Sequence, residues 1–277
     1  MLEFLFWFLL AGLLIASFQD FKRREVDYWL NYLLLAGSFA FVLFYSIFTS
    51  EYSIIMYSFL ALGVFIILGN LFYYARVYGG GDSLLLIALS LFFIGAGFIE
   101  TLQNQGIFML LVFIAGSIWG LLFALFVFFR NFSVSSKHFK DQIKKGYFKL
   151  GILVGILLFV LSYVDMLFLF ISILVFSITI LWAFSKSVED SSMTKSVVVS
   201  RLRQGDYLAK NIRFKGRTIK ADWEGISMKD LNFLKSGKFK KKIEIRDGVP
   251  YVPAFLIAFI LYWFFRPEIL AWFARVF

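Results

Sequence analysis

Residues 52–74 read YSIIMYSFLALGVFIILGNLFYY, and these 23 consecutive positions contain no charged residue. A helix needs about 17–25 apolar residues to cross the roughly 30 Å hydrocarbon core of a bilayer. The stretch therefore predicts a membrane-spanning helix. The composition of the 277-residue chain agrees, because 61% of its residues are hydrophobic, only 17% are charged and the mean hydropathy is +0.82. Soluble globular domains are about half apolar and a quarter charged, so composition excludes that class.

Apolar runs on both sides of this stretch predict an all-α polytopic membrane protein of about eight helices, with six or seven as the alternative count. The further single spans that we expect are Leu2–Phe18, Tyr28–Phe48, Ser83–Ile99, Ile107–Phe129 and Val249–Phe265. The run 150–184 would measure about 52 Å as one helix at ~1.5 Å per residue, which exceeds the bilayer. We interpret it as two spans that turn near 162–165.

The distribution of basic residues predicts the orientation of these spans. With eight spans and an external amino terminus, 26 of the 28 Lys and Arg residues face the cytoplasm, and only Arg266 and Arg275 face outward. This asymmetry satisfies the positive-inside rule. The first run carries Glu3 and no basic residue ahead of it, which favours an uncleaved span over a secretory signal. We therefore expect a multi-pass protein of the cytoplasmic membrane.

Residues 185–249 form a polar domain between a membrane domain (1–184) and a last span with a short external tail (250–277). Apolar alternation predicts about four short strands, and Ser227 and Gly237 bracket a predicted helix over 228–235. The strands are expected at 196–202, 211–214, 217–222 and 242–246. Sixteen basic and eight acidic residues predict attraction to anionic lipid headgroups, best through Lys238 and 240–242. Charge alone also permits nucleic acid, but no nucleic-acid-binding motif is visible, and we expect none bound.

The residue types present restrict the chemistry to carboxylates, hydroxyls and amines. The chain has no cysteine, which excludes thiol nucleophiles and cysteine zinc sites. Its one histidine, His138, leaves no Ser–His site or histidine-rich metal site that the chain could build alone. Carboxylates at membrane depth are costly and mark functional sites. Asp20 closes the first span and Asp82 opens the fourth, so both lie at the inner surface. Glu100 and Asp165 fall at the outer surface, where a solvated carboxylate needs no functional explanation.

Asp82 follows three glycines, Gly79, Gly80 and Gly81. Glycine permits left-handed backbone angles and close approach to another backbone, so this run would pair with an extended substrate beside Asp82. The alternative is a flexible loop followed by an aspartate that caps the helix.

Two aspartates that share one proton supply an acid and a base, and they need neither metal nor cofactor to hydrolyse a peptide. Helix dipoles suggest that Asp82 stays charged, at a helix amino end, while Asp20 holds the proton. An ion- or proton-coupled transporter is the rival function. However, no internal repeat is visible, and both aspartates lie at the rim rather than at the midplane that transporters use. A non-catalytic scaffold would leave the pairing accidental.

An aspartate at the inner end of the first span and a Gly-x-Gly-Asp that opens the fourth resemble the GxGD membrane aspartic proteases. Residues 16–28, Gly79–Asp82 and Arg130-Asn131 resemble the archaeal preflagellin and prepilin peptidases within that class. The resemblance implies that Asp20 and Asp82 are catalytic and that Gly79 and Gly81 shape the site. It also implies a substrate, an archaellin or pilin precursor whose class III signal peptide is removed at the cytoplasmic face. It covers about 1–132 well and 185–265 loosely.

The sequence departs from this family in two respects. Its peptidases are usually described with six spans, so the hairpin at 150–184 is an addition. Bacterial relatives carry a cysteine-rich zinc loop and methylate their product, so a chain without cysteine implies the peptidase alone. The triplet 253–255, Pro-Ala-Phe, resembles the Pro-Ala-Leu motif of presenilin-type intramembrane proteases, an alternative class, although with one mismatch in three residues packing at the entry of a span explains it better.

Class III signal peptides carry Lys or Arg just before the cut. Glu25 and Asp27 follow Asp20 closely enough to receive that charge, and we interpret them as a substrate-recognition pair. The alternative is that both acids only balance the basic residues 22–24 in a solvated loop.

Overall fold

A computed structural model describes residues 2–222, 225–237, 239, 241–246 and 248–276. Lys238 and Lys240, which the sequence singles out for lipid binding, lie outside these ranges. Among the described residues, six helices are long and apolar enough to cross a membrane. They are α1 (Leu2–Arg23), α2 (Tyr28–Thr49), α3 (Ser53–Tyr74), α5 (Phe98–Arg130), α8 (Met166–Ser192) and α10 (Val252–Val276).

The described part of the chain also contains four shorter helices. α4 (Gly80–Leu89) and α7 (Gly146–Leu161) are apolar, whereas α6 (Phe132–Ile143) and α9 (Met228–Ser236) are not. After α8 the described residues form five strands, namely β1 (Thr194–Val197), β2 (Tyr207–Leu208), β3 (Ile212–Phe214), β4 (Arg217–Ile219) and β5 (Ile243–Arg246). The predicted fold class, an all-α polytopic membrane protein with a small strand-containing domain, is confirmed.

The chain divides into two compact units. The first comprises the chain up to Leu121 together with the segment from Val249 onward, and the second comprises Leu122–Gly248. In the first unit α4 packs against α2 and α3, and α1 packs against α10. α4 lies inside this unit: Leu85, Leu86 and Leu89 are completely buried. A segment enclosed by protein need not match the bilayer thickness, so a ten-residue helix suffices there.

The predicted fourth span, 83–99, is wrong in extent. α4 ends at Leu89, a 3-10 turn continues to Phe93, and α5 already begins at Phe98. The intervening glycine-rich turn is held by side chains of α5. Thr101 Oγ1 accepts the Gly95 N–H at 3.0 Å, and Glu100 Oε2 accepts the Ala96 N–H at 2.9 Å.

Glu100 also forms an ion pair, so the expectation of a merely solvated loop carboxylate is wrong. Nη2 of Arg266, on α10, lies 2.6 Å from Glu100 Oε1, and Arg266 Nε donates to Asn104 Oδ1 at 3.0 Å. These contacts tie α10 to the first turns of α5.

In the second unit α7 and α8 form the predicted hairpin, with the turn at 162–165. Ser172 Oγ donates to the Gly155 carbonyl at 2.8 Å, and a Cβ on Gly155 would lie 2.6 Å from the Phe176 ring, so the two helices pack at a glycine. Asp165 caps α8 by accepting the Leu167 N–H at 2.8 Å. Its role is therefore structural.

The polar domain contains an antiparallel sheet of order β1–β5–β2 and a separate β3–β4 hairpin. In the sheet Lys195 pairs with Ile245, and Leu208 pairs with the same residue from the other side. Ser227 caps α9 by accepting the Asp230 N–H, and Gly237 follows its end, as the sequence predicted. A small apolar core lies between these elements, formed by Val199, Leu202, Leu208, Ile219, Leu231, Leu234, Ile243 and Ile245.

Candidate active site

Asp20 lies in the last turn of α1, which ends at Arg23. The Arg24 N–H donates to the Asp20 carbonyl at 2.8 Å, and Arg24 has φ 58°, in the left-handed region that favours glycine. Asp20 is 4% exposed. Its Oδ2 accepts the backbone N–H of Val252, the first residue of α10, at 2.9 Å. A buried carboxylate is thus held between two helices that are remote in sequence.

The segment that meets Asp20 is itself fixed by α5. Trp119 Nε1 donates to the Pro250 carbonyl at 2.7 Å, and the Tyr251 hydroxyl lies against Gly116, where a Cβ would not fit. The Ala254 N–H donates to the Tyr251 carbonyl at 2.9 Å and begins the helical hydrogen bonding of α10. The backbone N–H groups of 251 and 252 therefore point to Asp20 from an anchored position.

Asp82 lies in the first turn of α4, as the sequence predicted for an aspartate that opens a span. The Ser83 N–H donates to the Gly79 carbonyl at 3.0 Å, and the Gly79 N–H donates to the Asp82 carboxylate. The carboxyl groups of Asp20 and Asp82 are near enough to interact electrostatically. The fold thus places the two predicted carboxylates within range of each other's charge, although 61 residues separate them along the chain.

The three glycines before Asp82 differ in their surroundings. A Cβ on Gly81 would lie 2.9 Å from the carbonyl oxygen of Val26, in the loop after Asp20, whereas a Cβ on Gly79 would meet nothing nearer than 3.8 Å. A Cβ on Gly80 would lie 3.0 Å from the hydroxyl of Tyr28, the movable end of a side chain. Gly81 therefore permits the close approach of two backbone segments.

The three glycines before Asp82 do not adopt the left-handed conformation that glycine permits. The described glycines with positive φ are Gly205, Gly216 and Gly225, all in the polar domain. Gly79 is extended, with φ −69° and ψ 166°, while Gly80 and Gly81 already belong to α4. The run is consequently not the extended edge that was expected to pair with a substrate. Its glycines provide space rather than unusual dihedral angles.

The two acids of the expected recognition pair have different environments. Asp27 Oδ2 lies 2.6 Å from Arg23 Nη2 and also accepts the Trp29 indole N–H at 3.2 Å. The hydrogen bond from Arg23 holds the pKa of Asp27 below its usual value, so this ion pair is present at neutral pH and is lost as the pH falls through that lowered pKa. Glu25 is exposed. The charge-balancing interpretation therefore describes Asp27, and Glu25 is the acid that faces solvent.

Two residues near the aspartates were not predicted from the sequence. Asn31 of α2 is fully buried, and its Nδ2 donates to the Gly81 carbonyl at 2.8 Å, which ties α2 to the start of α4. Tyr78 is 5% exposed and contacts the rings of Tyr251 and Phe255, with centroid distances of 5.1 and 5.4 Å. Burial raises the pKa of the Tyr78 phenol, which keeps it neutral beside Asp82. Asparagine within an apolar run was the available signal for the first residue.

The helices that carry the two aspartates also carry Ser17 and Ser83. The hydroxyls of both serines are buried and have no hydrogen-bond partner among the described residues. A buried and a partly buried carboxyl group, both bound by backbone N–H groups, form a site suited to moving protons. The molecule is a multi-pass membrane protein with a carboxyl pair on α1 and α4.

Comparison with known proteins agrees with this class. Residues 7–125, which include Asp20 and the whole of 79–82, match the type IV leader peptidase family. The preflagellin peptidase of Methanococcus maripaludis (strain C6) is 30% identical over 128 residues, which cover 43% of this chain and 55% of the relative. The chain thus spans about half the length of the curated relative that it matches. No solved structure matches it. The resemblance to preflagellin and prepilin peptidases is confirmed, while its expected extension over 185–265 lies outside the matched segment.

Proposed function

We propose that this protein is a membrane-embedded aspartic endopeptidase that removes the class III signal peptide from archaellin or type IV pilin precursors. The observation that carries the proposal is the approach of Asp20 and Asp82, within the segment that matches the leader peptidase family. Two adjacent carboxyl groups of like charge do not both ionise readily, so one keeps a proton. The charged one takes a proton from the attacking water, and the protonated one donates to the carbonyl oxygen of the scissile bond.

The basic residues around the pair support cleavage at the cytoplasmic face. Lys22, Arg23 and Arg24 follow Asp20, and Arg76 precedes Asp82 by six positions. Clusters of this kind next to a span remain in the cytoplasm. A precursor with its hydrophobic segment in the bilayer would present the preceding peptide bond at this rim. Exposed Glu25 is placed to attract the basic residue ahead of the cut, and Asp27 is already paired with Arg23.

The basic polar domain is expected to contact anionic lipid headgroups. Among its described residues Lys241 and Lys242 are exposed and lie eleven and ten positions before the start of α10. Each basic side chain near an anionic surface contributes about 1 kcal/mol of attraction. This contact would keep the domain at the surface from which the precursor approaches.

The function is tested by co-expressing the protein with an archaellin or pilin precursor and following removal of the signal peptide by gel mobility and mass spectrometry. We expect Asp20→Asn and Asp82→Asn each to abolish processing, with a loss of about a thousandfold or more, because neither half of a proton-sharing pair works alone. Asp165→Asn, which alters a carboxylate that only caps α8, is the matched control and should process normally. Processing retained by either dyad variant would exclude the mechanism, and a transporter would show no processing in any form.

A further inference from the structure

Asp20 lies at the carboxyl end of one helix and at the amino end of another. The carboxyl end of α1 disfavours a negative charge, whereas the free N–H groups at the amino end of α10 favour one. Asp20 Oδ2 accepts the Val252 N–H at 2.9 Å, and the Tyr251 N–H is a second donor to the same side chain. Because the group is almost completely buried, water competes little with these bonds. The amino end of α10 therefore stabilises the Asp20 anion.

A cation acts on the same carboxylate. The guanidinium of Arg24 lies near enough to attract Asp20. Arg24 has the left-handed φ that glycine adopts more readily, so an arginine is held there at some cost in backbone energy. The carboxyl group of Asp82 also interacts electrostatically with Asp20, and two negative charges there repel each other. Two backbone donors and one cation thus offset the burial of Asp20 and the repulsion from Asp82, both of which disfavour the Asp20 anion.

The surroundings of Asp82 differ. Among the described residues its carboxyl group accepts the Gly79 N–H and meets the charge of Asp20 and the phenols of Tyr78 and Tyr251. Neither phenol carries a positive charge, so none of these groups attracts the Asp82 anion as Arg24 attracts Asp20. The pair is therefore asymmetric, with stronger stabilisation of the anion at Asp20.

We propose that the amino end of α10 is the positioning element of the dyad: the Val252 N–H orients Asp20 and keeps it charged, so that Asp82 carries the shared proton. This inference rests on the proposed peptidase function. It reverses the assignment expected from the dipoles of α1 and α4 alone, because those helices do not include α10. It also gives the Pro-Ala-Phe segment at 253–255 a role: these residues belong to the first turn of α10, whose backbone N–H at Val252 binds Asp20.

The assignment gives each proton a defined path. Asp20 accepts a proton from water while the water oxygen bonds to the scissile carbonyl carbon, and Asp82 gives its proton to the carbonyl oxygen. In the tetrahedral diol, Asp20 returns its proton to the amide nitrogen as the C–N bond breaks. Asp82 recovers a proton from one hydroxyl as the new carboxylic acid forms. Both carboxyl groups end in their starting states.

The test removes the Val252 N–H from the full-length enzyme in lipid nanodiscs. Val252→Pro deletes the donor, and an ester bond at this position, made by incorporating α-hydroxyisovaleric acid, replaces N–H by oxygen while keeping the side chain. Val252→Ala keeps the donor and is the matched control. The readouts are kcat, KM and the pH dependence of kcat/KM for precursor cleavage.

We expect the proline and ester forms to lose about tenfold or more in kcat with KM nearly unchanged, since a hydrogen bond to a charged group contributes about 1.5–3 kcal/mol. The acid limb of the profile should move to higher pH in both, because an unsupported Asp20 protonates more readily. Val252→Ala should keep the wild-type acid limb even if its thermal stability falls. A wild-type acid limb in the ester form overturns the proposal, and so does a shift of the alkaline limb instead.

A second measurement does not depend on turnover and remains informative if the proline variant does not fold. Infrared-monitored pH titrations of the two variants follow the one carboxyl group of the pair that each retains. Asp20, retained in Asp82→Asn, should lose its proton at a lower pH than Asp82, retained in Asp20→Asn. The opposite order would overturn the assignment. If no precursor were cleaved by the wild-type protein, the peptidase function would fail, while the infrared spectra would still decide the charge on Asp20.

Discussion

Gly81 lies where the loop after Asp20 approaches the start of α4, and this contact leads to a sharp prediction. A Cβ at Gly81 would press on the Val26 carbonyl oxygen at 2.9 Å, and backbone cannot move aside as a side chain can. We expect Gly81→Ala to separate the two aspartates, lowering kcat/KM for precursor cleavage by about tenfold or more and destabilising the protein by about 1–3 kcal/mol. The measurements are cleavage kinetics and thermal unfolding in detergent.

Gly79→Ala is the matched control for this substitution. A Cβ there meets nothing nearer than ordinary contact distance, and φ of −69° suits any residue. Its activity should stay within about threefold of wild type, because exchanging glycine for alanine before a helix costs well under 1.5 kcal/mol. An equal loss of kcat/KM in Gly81→Ala and Gly79→Ala would mean that these glycines are needed for backbone flexibility, and not for the close contact at Gly81.

Substrate recognition leads to a prediction at Glu25. If exposed Glu25 attracts the basic residue before the cut, Glu25→Lys should raise KM by about five- to tenfold with kcat nearly unchanged, because uniform binding is lost. Asp27→Asn should leave KM within about twofold, since Arg23 already occupies that carboxylate. Steady-state kinetics with a precursor peptide in nanodiscs measure both. An unchanged KM in Glu25→Lys would remove this acid from the site.

The sequence located some residues of the candidate site and missed others for a physical reason. Asp20 and Asp82 stand out because a carboxylate at the end of an apolar run is costly and rare. The Val252 N–H has no sequence signal, since every residue except proline carries this donor. Tyr78 reads as an ordinary loop residue until the fold buries it against Tyr251.

At the level of elements, α10 is tied to α5 at two places, just before its first turn and near its middle. Near its start Trp119 of α5 holds the Pro250 carbonyl, and farther along Arg266 pairs with Glu100. Arg266 and Glu100 are only 26% and 38% exposed at their side chains, so the pair is partly shielded from water. We expect Glu100→Gln to lower the free energy of unfolding by about 1 kcal/mol, because a partly shielded cation loses its partner.

A double-mutant cycle isolates this interaction. Glu100→Gln combined with Arg266→Met should lose less than the sum of the two single variants, with a coupling of at least about 0.5 kcal/mol in thermal or denaturant unfolding. Glu51→Gln changes an exposed acid between α2 and α3 and controls for net charge. Strict additivity of Glu100→Gln and Arg266→Met would mean that the ion pair contributes nothing to stability.

The elements differ in how well sequence predicted them. The α7–α8 turn and the caps of α9 were predicted because local residues determine them. The short α4 was not, since hydropathy cannot distinguish an apolar segment enclosed by protein from one that faces lipid. The early start of α5 was also missed, because the side chains that hold the turn at 94–97 come from α5 itself.

The whole first unit is discontinuous, because α10 returns to it after the second unit, Leu122–Gly248. The contact between Asp20 and Val252 therefore closes a loop of more than two hundred residues. Sequence patterns describe neighbours along the chain and cannot show such a closure. The prediction that Asp82 is charged and Asp20 protonated used only the dipoles of α1 and α4. It therefore left out α10, the helix on which our assignment depends.

Orientation in the membrane is the remaining property of the whole molecule, and the absence of native cysteine makes it directly measurable. If the cytoplasmic rim carries the dyad, alternating spans place Glu51 and Tyr163 outside and Lys144 inside. Glu51→Cys and Tyr163→Cys should react with an impermeant maleimide in intact cells, and Lys144→Cys only after permeabilisation. Labelling of Tyr163→Cys also requires that the sixteen-residue α7 cross the membrane, since the turn after it is highly exposed. The reverse pattern would put the dyad outside, where a precursor held by its cytoplasmic leader could not reach it.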